Sequence, residues 1–428
     1  MQSFTPQRRE MRSMYNGVSA KLTVPSIPAL SFFTGAGGLD LGVREAGFDP
    51  ALSIEADPSA RLTLAANWPD HKLAEPGDVH DLSVDQIEEQ SGLKRGDVGL
   101  LFGGPPCQPF SKAALWHAGK VSRLKDPRAK TLTAMLDAVA HFLPDAVLIE
   151  NVSGLAAGRS SGVSYVSRRF AAINRAHGTK YRPVMCVLNA LDFGVPQARE
   201  RLFIVAARSG ERFVPPSASH FEVGLAGDER PRWRTSWDAI GHLSVGQEEL
   251  EYLQPSGKWA GLLPSIPEGH NYLWHTDRGG GHPIFGWRRR YWSFLLKLAK
   301  NKPAWTVAAS PGPATGPFHW DSRRLSVAEL AALQTFPANY QWPVAYRLAQ
   351  GQIGNAVPPA LAASVAVALR AQCFDGLLLD ASRYVPKEGL NCPEAEPVRE
   401  VPGAFKGFLL DNTPHPGAGK GPGARIRR

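Results

Sequence analysis

The 428-residue chain is poor in cysteine, and its four, Cys107, Cys186, Cys373 and Cys392, lie far apart. No CxxC pair occurs. That excludes the usual zinc-site spacings and a disulfide framework, so no metal is expected and a reducing compartment fits. No apolar run reaches about 18 residues, so neither a spanning helix nor a membrane partner is expected. Internal repeats are missing. The N-terminus carries Arg8, Arg9 and Arg12 but lacks the apolar stretch of a secretory signal. Acidic residues are in the minority, with 39 Asp+Glu against 48 Lys+Arg and a net charge of +9. Such a balance points to a polyanionic partner, although a merely basic soluble protein has the same sum. A hydrophobic content of 43% and a charged content of 20% are those of a globular protein, and the length admits two domains.

What is present alternates. ALSFF (29–33), ALSIEAD (51–57), VGLLF (98–102), DAVLIEN (145–151), RPVMCVLNA (182–190) and RLFIVAA (201–207) read as strands. Between them LDLGVREAG (39–47), PSARLTLAANW (58–68) and AKTLTAMLDAVAHFL (129–143) read as helices. That order predicts an α/β sheet with helices on both faces. The pattern stops near residue 208. Residues 209–302 are irregular and hold six of the eleven tryptophans. Helical periodicity returns at SVAELAALQTF (326–336) and PPALAASVAVALR (358–370). The division is a leader (1–27), a first domain (28–208), an inserted domain (209–302), a return to the first (303–372) and a Pro/Gly-rich basic tail (373–428). The leader is expected to be flexible and the tail disordered.

Six motifs carry chemistry. In FFTGAGGLD the glycines let a ligand approach the backbone near a helix N-terminus, and Glu55, 20 residues after Gly35, sits where an acid meets ribose hydroxyls. The dinucleotide fingerprint fails by one residue, because Asp40 holds its last glycine position. In FGGPPCQPFS (102–111), Pro105 and Pro106 fix the backbone just before Cys107. A thiol so framed is either a positioned nucleophile or an inert buried cysteine. IENV (149–152) puts Glu150 at a strand end, as a protonated acid or an ion-paired glutamate. QARER (197–201) puts Arg199 and Arg201 on one face of an extended segment, to clamp an anion or base, or simply in salt bridges. GNAVPPALA (354–362) offers Asn355 as a helix cap or a cofactor contact. SKAALWHAGKVSRLKDPRAK (111–130) is a basic loop with Ser111, Arg123, Lys125 and Arg128.

Taken in order, FTGAGG, IEAD, GPPCQPFS, IENV, QARER, RRLSVAELAALQTFP and GNAVPP resemble the cytosine-C5 DNA methyltransferases of bacterial restriction-modification systems, over about residues 29–208 and 303–372. The resemblance implies a Rossmann-like S-adenosylmethionine-dependent sheet with a smaller target-recognition domain at 209–302. It implies transfer of a methyl group to C5 of a cytosine flipped out of duplex DNA. Cys107 would add to C6, Glu150 would serve N3 and the exocyclic amine, and Arg201 with Arg199 would hold O2 and support the loop. Phe33, Gly35, Gly37, Glu55, Asp78, Val79, Pro105 and Asn355 would line the cofactor pocket. Residues 111–130 resemble the family's mobile catalytic loop. From Arg278 to Lys302 there are seven Lys/Arg and no acid. Arg278, Arg288, Arg289 and Arg290 are therefore expected at DNA, most such arginines binding phosphate, while the tryptophans favour core over stacking. A cytoplasmic, nucleoid-associated monomer is implied, with room for a cognate restriction endonuclease as partner. The Cys-Phe-Thr tripeptide of the family's tRNA-methylating branch is absent. An RNA methyltransferase of the same fold and a silent DNA-binding module remain alternatives. A nicotinamide-dependent oxidoreductase would leave PPCQ and QARER unexplained.

Overall fold

Residues 25–106, 130–156, 162–222, 230–286, 292–389 and 391–409 are described by the structure, a computed structural model. Apolar residues on alternating positions build one six-stranded sheet from β1 (Ile27–Phe32), β2 (Phe48–Ile54), β3 (Leu100–Gly103), β4 (Ala146–Asn151), β5 (Val184–Asn189) and β6 (Glu200–Ala207), in the order β2-β1-β3-β4-β6-β5. The first four strands are parallel to their neighbours; β6 runs antiparallel to both β4 and β5.

Both faces are buried, as expected for a parallel sheet. Leu30, Phe32, Leu101, Val147 and Ile149 point into one core, with Met135, Leu136 and Val139 of a helix at Lys130–Phe142 and Phe170 of another at Gly162–His177. Ala29, Leu100, Phe102 and Leu148 point into the other, with Leu39 and Val43 of α1 (Gly38–Glu45) and Leu361, Val365 and Leu369 of the helix Pro359–Cys373. Each such Leu, Val or Phe contributes about 1.5–3 kcal/mol by leaving water. A Cβ on Gly42 would lie 2.3 Å from the Ala363 nitrogen, so only glycine lets α1 and the Ala-rich helix Pro359–Cys373 approach this closely.

The sheet's strands and the helices at 58–67, 130–142, 327–333 and 359–373 lie where the periodicity predicts them. Helices at Val84–Ser91, Gly162–His177 and Tyr346–Asn355 were not legible, being short, polar or rich in β-branched and glycine residues. Tyr346–Cys373 is apolar enough to pass for a membrane span, against the expectation of no such run. It is two helices interrupted at 356–358, and 72% of its most apolar window is buried in this fold.

The tail departs from expectation. Residues 374–389 and 391–409 are not a loose end but a strap. Leu379, Ala381, Tyr384 and Val385 pack on the sheet's second core. Further on, Val401, Phe405 and Phe408 join a separate cluster built by Leu262, Leu263, Ile266, Tyr272, Phe285 and Phe318. A few apolar anchors spaced along a Pro-rich segment suffice to dock it, which bulk composition does not register. Residues 1–24 and 410–428 lie outside the described residues.

Phe405 stacks on Trp259 with ring centroids 5.8 Å apart and is 9% exposed. Phe405→Ala should cost about 3 kcal/mol of second-domain stability. Denaturant unfolding followed by tryptophan fluorescence checks this; a midpoint within error of wild type would show that the strap is not anchored there.

Candidate active site

The site grows from the carboxyl ends of β1, β2, β3 and β4, where the strand order reverses and α/β sheets bind ligands. β1 runs out at Phe32. Phe33 (φ +56°) and Gly35 (φ +55°) then turn the chain through left-handed conformations. Strain of this kind at Phe33, a non-glycine, persists only where the surroundings impose it. The Gly35 amide donates to Glu55 Oε2 at 2.6 Å, and the Asp57 amide donates to Oε1 at 2.8 Å. Burial pushes the Glu55 carboxyl up, and the Asp57 and Gly35 amides oppose that rise. A Cβ on Gly35 would meet nothing within 4 Å, so the turn faces open space. Gly37 is different: its absent Cβ would strike the Trp68 ring at 2.5 Å, and its φ of +74° caps α1, so packing accounts for it. Asp78 is exposed and caps the His80 amide at 2.9 Å, while Val79 is buried. Their loop lies against Glu55, since a Cβ on Gly77 would be 2.3 Å from the Glu55 carbonyl.

On the other side, Glu150 ends β4 and is 8% exposed. Because β6 is antiparallel, its first residues meet the last ones of β4, with Glu150 opposite Phe203. Arg201 thereby reaches Glu150, Nε to Oε1 at 2.9 Å. Burial raises the Glu150 carboxyl above the usual range; Arg201 and then Arg199 hold it back. A Cβ on Gly104 would lie 2.9 Å from Glu150 Oε2, so the β3 exit passes directly over this carboxylate. Asn151 Nδ2 donates to the Pro105 carbonyl at 3.0 Å and pins that exit. Cys107, two residues on, lies outside the described residues, as do Ser111, Arg123, Lys125, Arg128, Arg288, Arg289 and Arg290.

Two expectations change. Arg199 is 2% exposed and is spent on backbone carbonyls: Val307 at 3.4 Å, Gly354 at 2.6 Å and Ala356 at 3.0 Å. It binds the return segment on both sides of Asn355, so it supports the loop and does not hold a base. Asn355 is the last residue of the helix Tyr346–Asn355, and the next helix is capped by Pro358, so the capping reading of Asn355 fails. Sequence reasoning missed Asn151, although it sits inside IENV. It also missed Gln197, which is fully buried and donates to the Leu333 carbonyl and Gln334 while accepting from the Val307 amide.

Asp40 was read only as the glycine that is absent. Its carboxyl is buried in the first turn of α1, and Oδ1 has no hydrogen-bond partner among the described residues. Burial lifts it from the ordinary 3.8 to about 7, against a hydrogen bond from Ser31 and the charge of Arg44. Since the folded value is the higher, its favourable contribution is complete below about pH 4 and is lost as pH rises through about 7. Asp40→Asn should therefore raise the melting temperature near pH 8 and lose that advantage towards about pH 4. A constant difference between the two proteins across that window would show that Asp40 does not titrate there. Gly104→Ala should push Glu150 out of line and lower turnover by about 100-fold with little change in melting temperature; turnover near wild type would mean that the contact is slack.

The family model for C-5 cytosine-specific DNA methylases matches residues 27–371. Type II methyltransferase M.SacI of Streptomyces achromogenes is 36% identical over 376 residues, covering 81% of this chain and 93% of the relative. Type II methyltransferase M1.HphI of Haemophilus parahaemolyticus is 32% identical, covering 80% and 87%. Among solved structures, the Entamoeba histolytica methyltransferase EhMeth has the same fold, with a TM-score of 0.54 at 16% identity over 82% of this chain and all of that one. With its sheet, its motif order and these matches in agreement, the chain belongs to the C-5 cytosine-specific DNA methylase family and is a DNA cytosine-5 methyltransferase.

Proposed function

We propose that the protein methylates C5 of a flipped-out cytosine within a specific duplex DNA sequence, using S-adenosylmethionine and a covalent bond from Cys107 to C6. The observation that carries this is the buried Glu150–Arg201 pair beneath the Gly104–Pro105 exit, three residues or fewer from Cys107. C5 of cytosine is a weak nucleophile. Addition of the Cys107 thiolate to C6 makes the ring an enamine, and electron density that would collect at N3 needs a proton or a hydrogen bond. Glu150 supplies it, since burial favours its protonated form. Arg201 fixes the carboxyl's direction and stands beside the base. Asn151 and the two prolines fix the backbone at 105–106 that leads into Cys107, which supports a nucleophile that loses little entropy on attack. After C5 has gained its methyl group, loss of the C5 proton and elimination release Cys107.

The Gly35–Glu55 turn fits an adenosine-containing cofactor. Its open face allows close approach, and each Glu55 oxygen, already oriented by one amide, keeps a lone pair for a ribose hydroxyl. S-adenosylmethionine, when bound, supplies an electrophilic methyl group. Phe33, Val79, Asp78, Pro105 and Asn355 complete the pocket in this reading. Similarity to Type II methyltransferases supports a restriction-modification setting, and in this reading the enzyme works as a cytoplasmic monomer on the host's DNA alongside a cognate endonuclease.

Labelled methyl transfer to unmethylated duplex DNA and to tRNA, with nucleoside mass spectrometry, tests this. 5-Methylcytosine should form in DNA with wild type and be undetectable with Cys107→Ser, which should still bind cofactor. Glu150→Gln should slow single-turnover transfer by about 100-fold or more with a small change in DNA affinity. Transfer to tRNA alone would replace the substrate, and full activity of the serine variant would remove the covalent step.

A further inference from the structure

Trp292 and Trp305 are large apolar side chains on the outside of a protein that buries most of its others. They are 50% and 41% exposed, and their rings meet edge to face with centroids 5.5 Å apart. One belongs to the inserted domain and the other to the return segment. Trp305 lies on backbone fixed beside the active-site edge: the Ala304 amide donates to Pro196, the Ala198 amide to Ala304, and Thr306 Oγ1 to the Ala198 carbonyl at 2.6 Å. The pair therefore stands next to the segment that leads through Arg199 into Arg201. Trp292 in turn forms one wall of a cavity of about 310 Å³ with His270, Asn271, Trp274, Arg278 and Leu296. Asn271 donates to the Trp292 carbonyl at 2.7 Å, which fixes that wall from behind. Among the described residues, no acidic side chain lines the cavity. Burial and the nearby Lys302 both depress the His270 pKa and keep its ring neutral.

We infer that Trp292 and Trp305 form an aromatic stacking surface for nucleobases or deoxyriboses of the DNA strand next to the target cytosine, continuous with the cleft that holds Arg278. Two exposed indoles set at 72° to each other give a DNA strand two adjoining apolar faces, and the arginine gives its phosphates a charge. Stacking is tolerant of base identity, because every base presents a π face. The pair accordingly supplies affinity and register at the junction of the two domains, while sequence reading is left to other residues. This inference rests on DNA being the substrate.

The test uses the full chain, a labelled duplex carrying the mapped recognition sequence and a scrambled duplex. Trp305→Ala and Trp292→Ala should weaken equilibrium binding to both duplexes by about tenfold each, and Trp305→Phe by much less. The DNA KM should rise in parallel, with kcat, cofactor affinity and methylated sequence kept. Melting temperatures within error of wild type show that the variants fold. If wild type binds the duplexes and both alanine variants bind within about twofold of it, the stacking surface is refuted while the methyltransferase reading stands. If an alanine variant binds the scrambled duplex like wild type and loses only the recognition sequence, the residue reads bases and the stacking role is refuted. If wild type binds neither duplex and methylates no DNA, the substrate reading falls and this inference with it.

Discussion

A carboxyl and a guanidinium, 2.9 Å apart and largely out of water, fix the sheet edge beneath the β3 exit. Glu150 alone at that depth would be costly to ionise, and Arg201 alone would leave a buried cation; breaking such a pair from one side costs about 3–5 kcal/mol. The pair requires a reversed strand. Were β6 parallel to β4, its arginines would start at the far end of the sheet. Antiparallel pairing brings the start of β6 to the end of β4 and so lets QARER meet IENV across about fifty residues of sequence. Because the guanidinium only partly offsets burial, the carboxyl stays above its ordinary range while remaining oriented. The group that orients the carboxyl is thus also the one that most opposes the rise burial causes.

The neighbouring residues serve continuity. After β6 the chain leaves the sheet and must come back to supply the helix Pro359–Cys373 to its second core. Arg199 and Gln197 receive it, through the Val307 carbonyl and amide, Gly354, Ala356 and Leu333. Backbone polar groups in a returning loop would otherwise be buried without partners. The same bonds set the carbonyls flanking Asn355, so the segment assigned to the cofactor and the segment assigned to the base share one buried frame.

Much of this was legible because strand and helix periods are strong signals in a doubly covered sheet. FFTGAGG, PPCQ, IENV and QARER fall at strand ends because strand ends are where chain direction changes and side chains are released. Strand direction was not legible: RLFIVAA reads the same whether it runs up or down. Nor was the difference between Arg199 and Arg201, two residues apart and alike in type, since one finds carbonyls from residues 307–356 and the other finds Glu150. Asp40 was hidden by the same logic, since its burial is created by Tyr340 and other residues of the return segment packing over α1.

The strap at 374–389 and 391–409 also completes the cluster around Leu262, Leu263 and Ile266. That cluster is small, and small cores are marginal. Phe405 completes it from outside. Polar contacts add to this: Lys300, buried, holds Glu268 at 2.9 Å and Glu396 at 2.7 Å, and Arg232 bridges Asp238 and Glu388, both at 2.8 Å. Tyr384 and Val385, a few residues earlier on the same strap, are embedded against the sheet's helices. Residues 374–389 and 391–409 therefore anchor to both the sheet's second core and the Leu262–Phe318 cluster. Ordering these Pro-rich stretches costs conformational entropy, which the burial of Phe405 and the ion pairs of Glu388 and Glu396 offset.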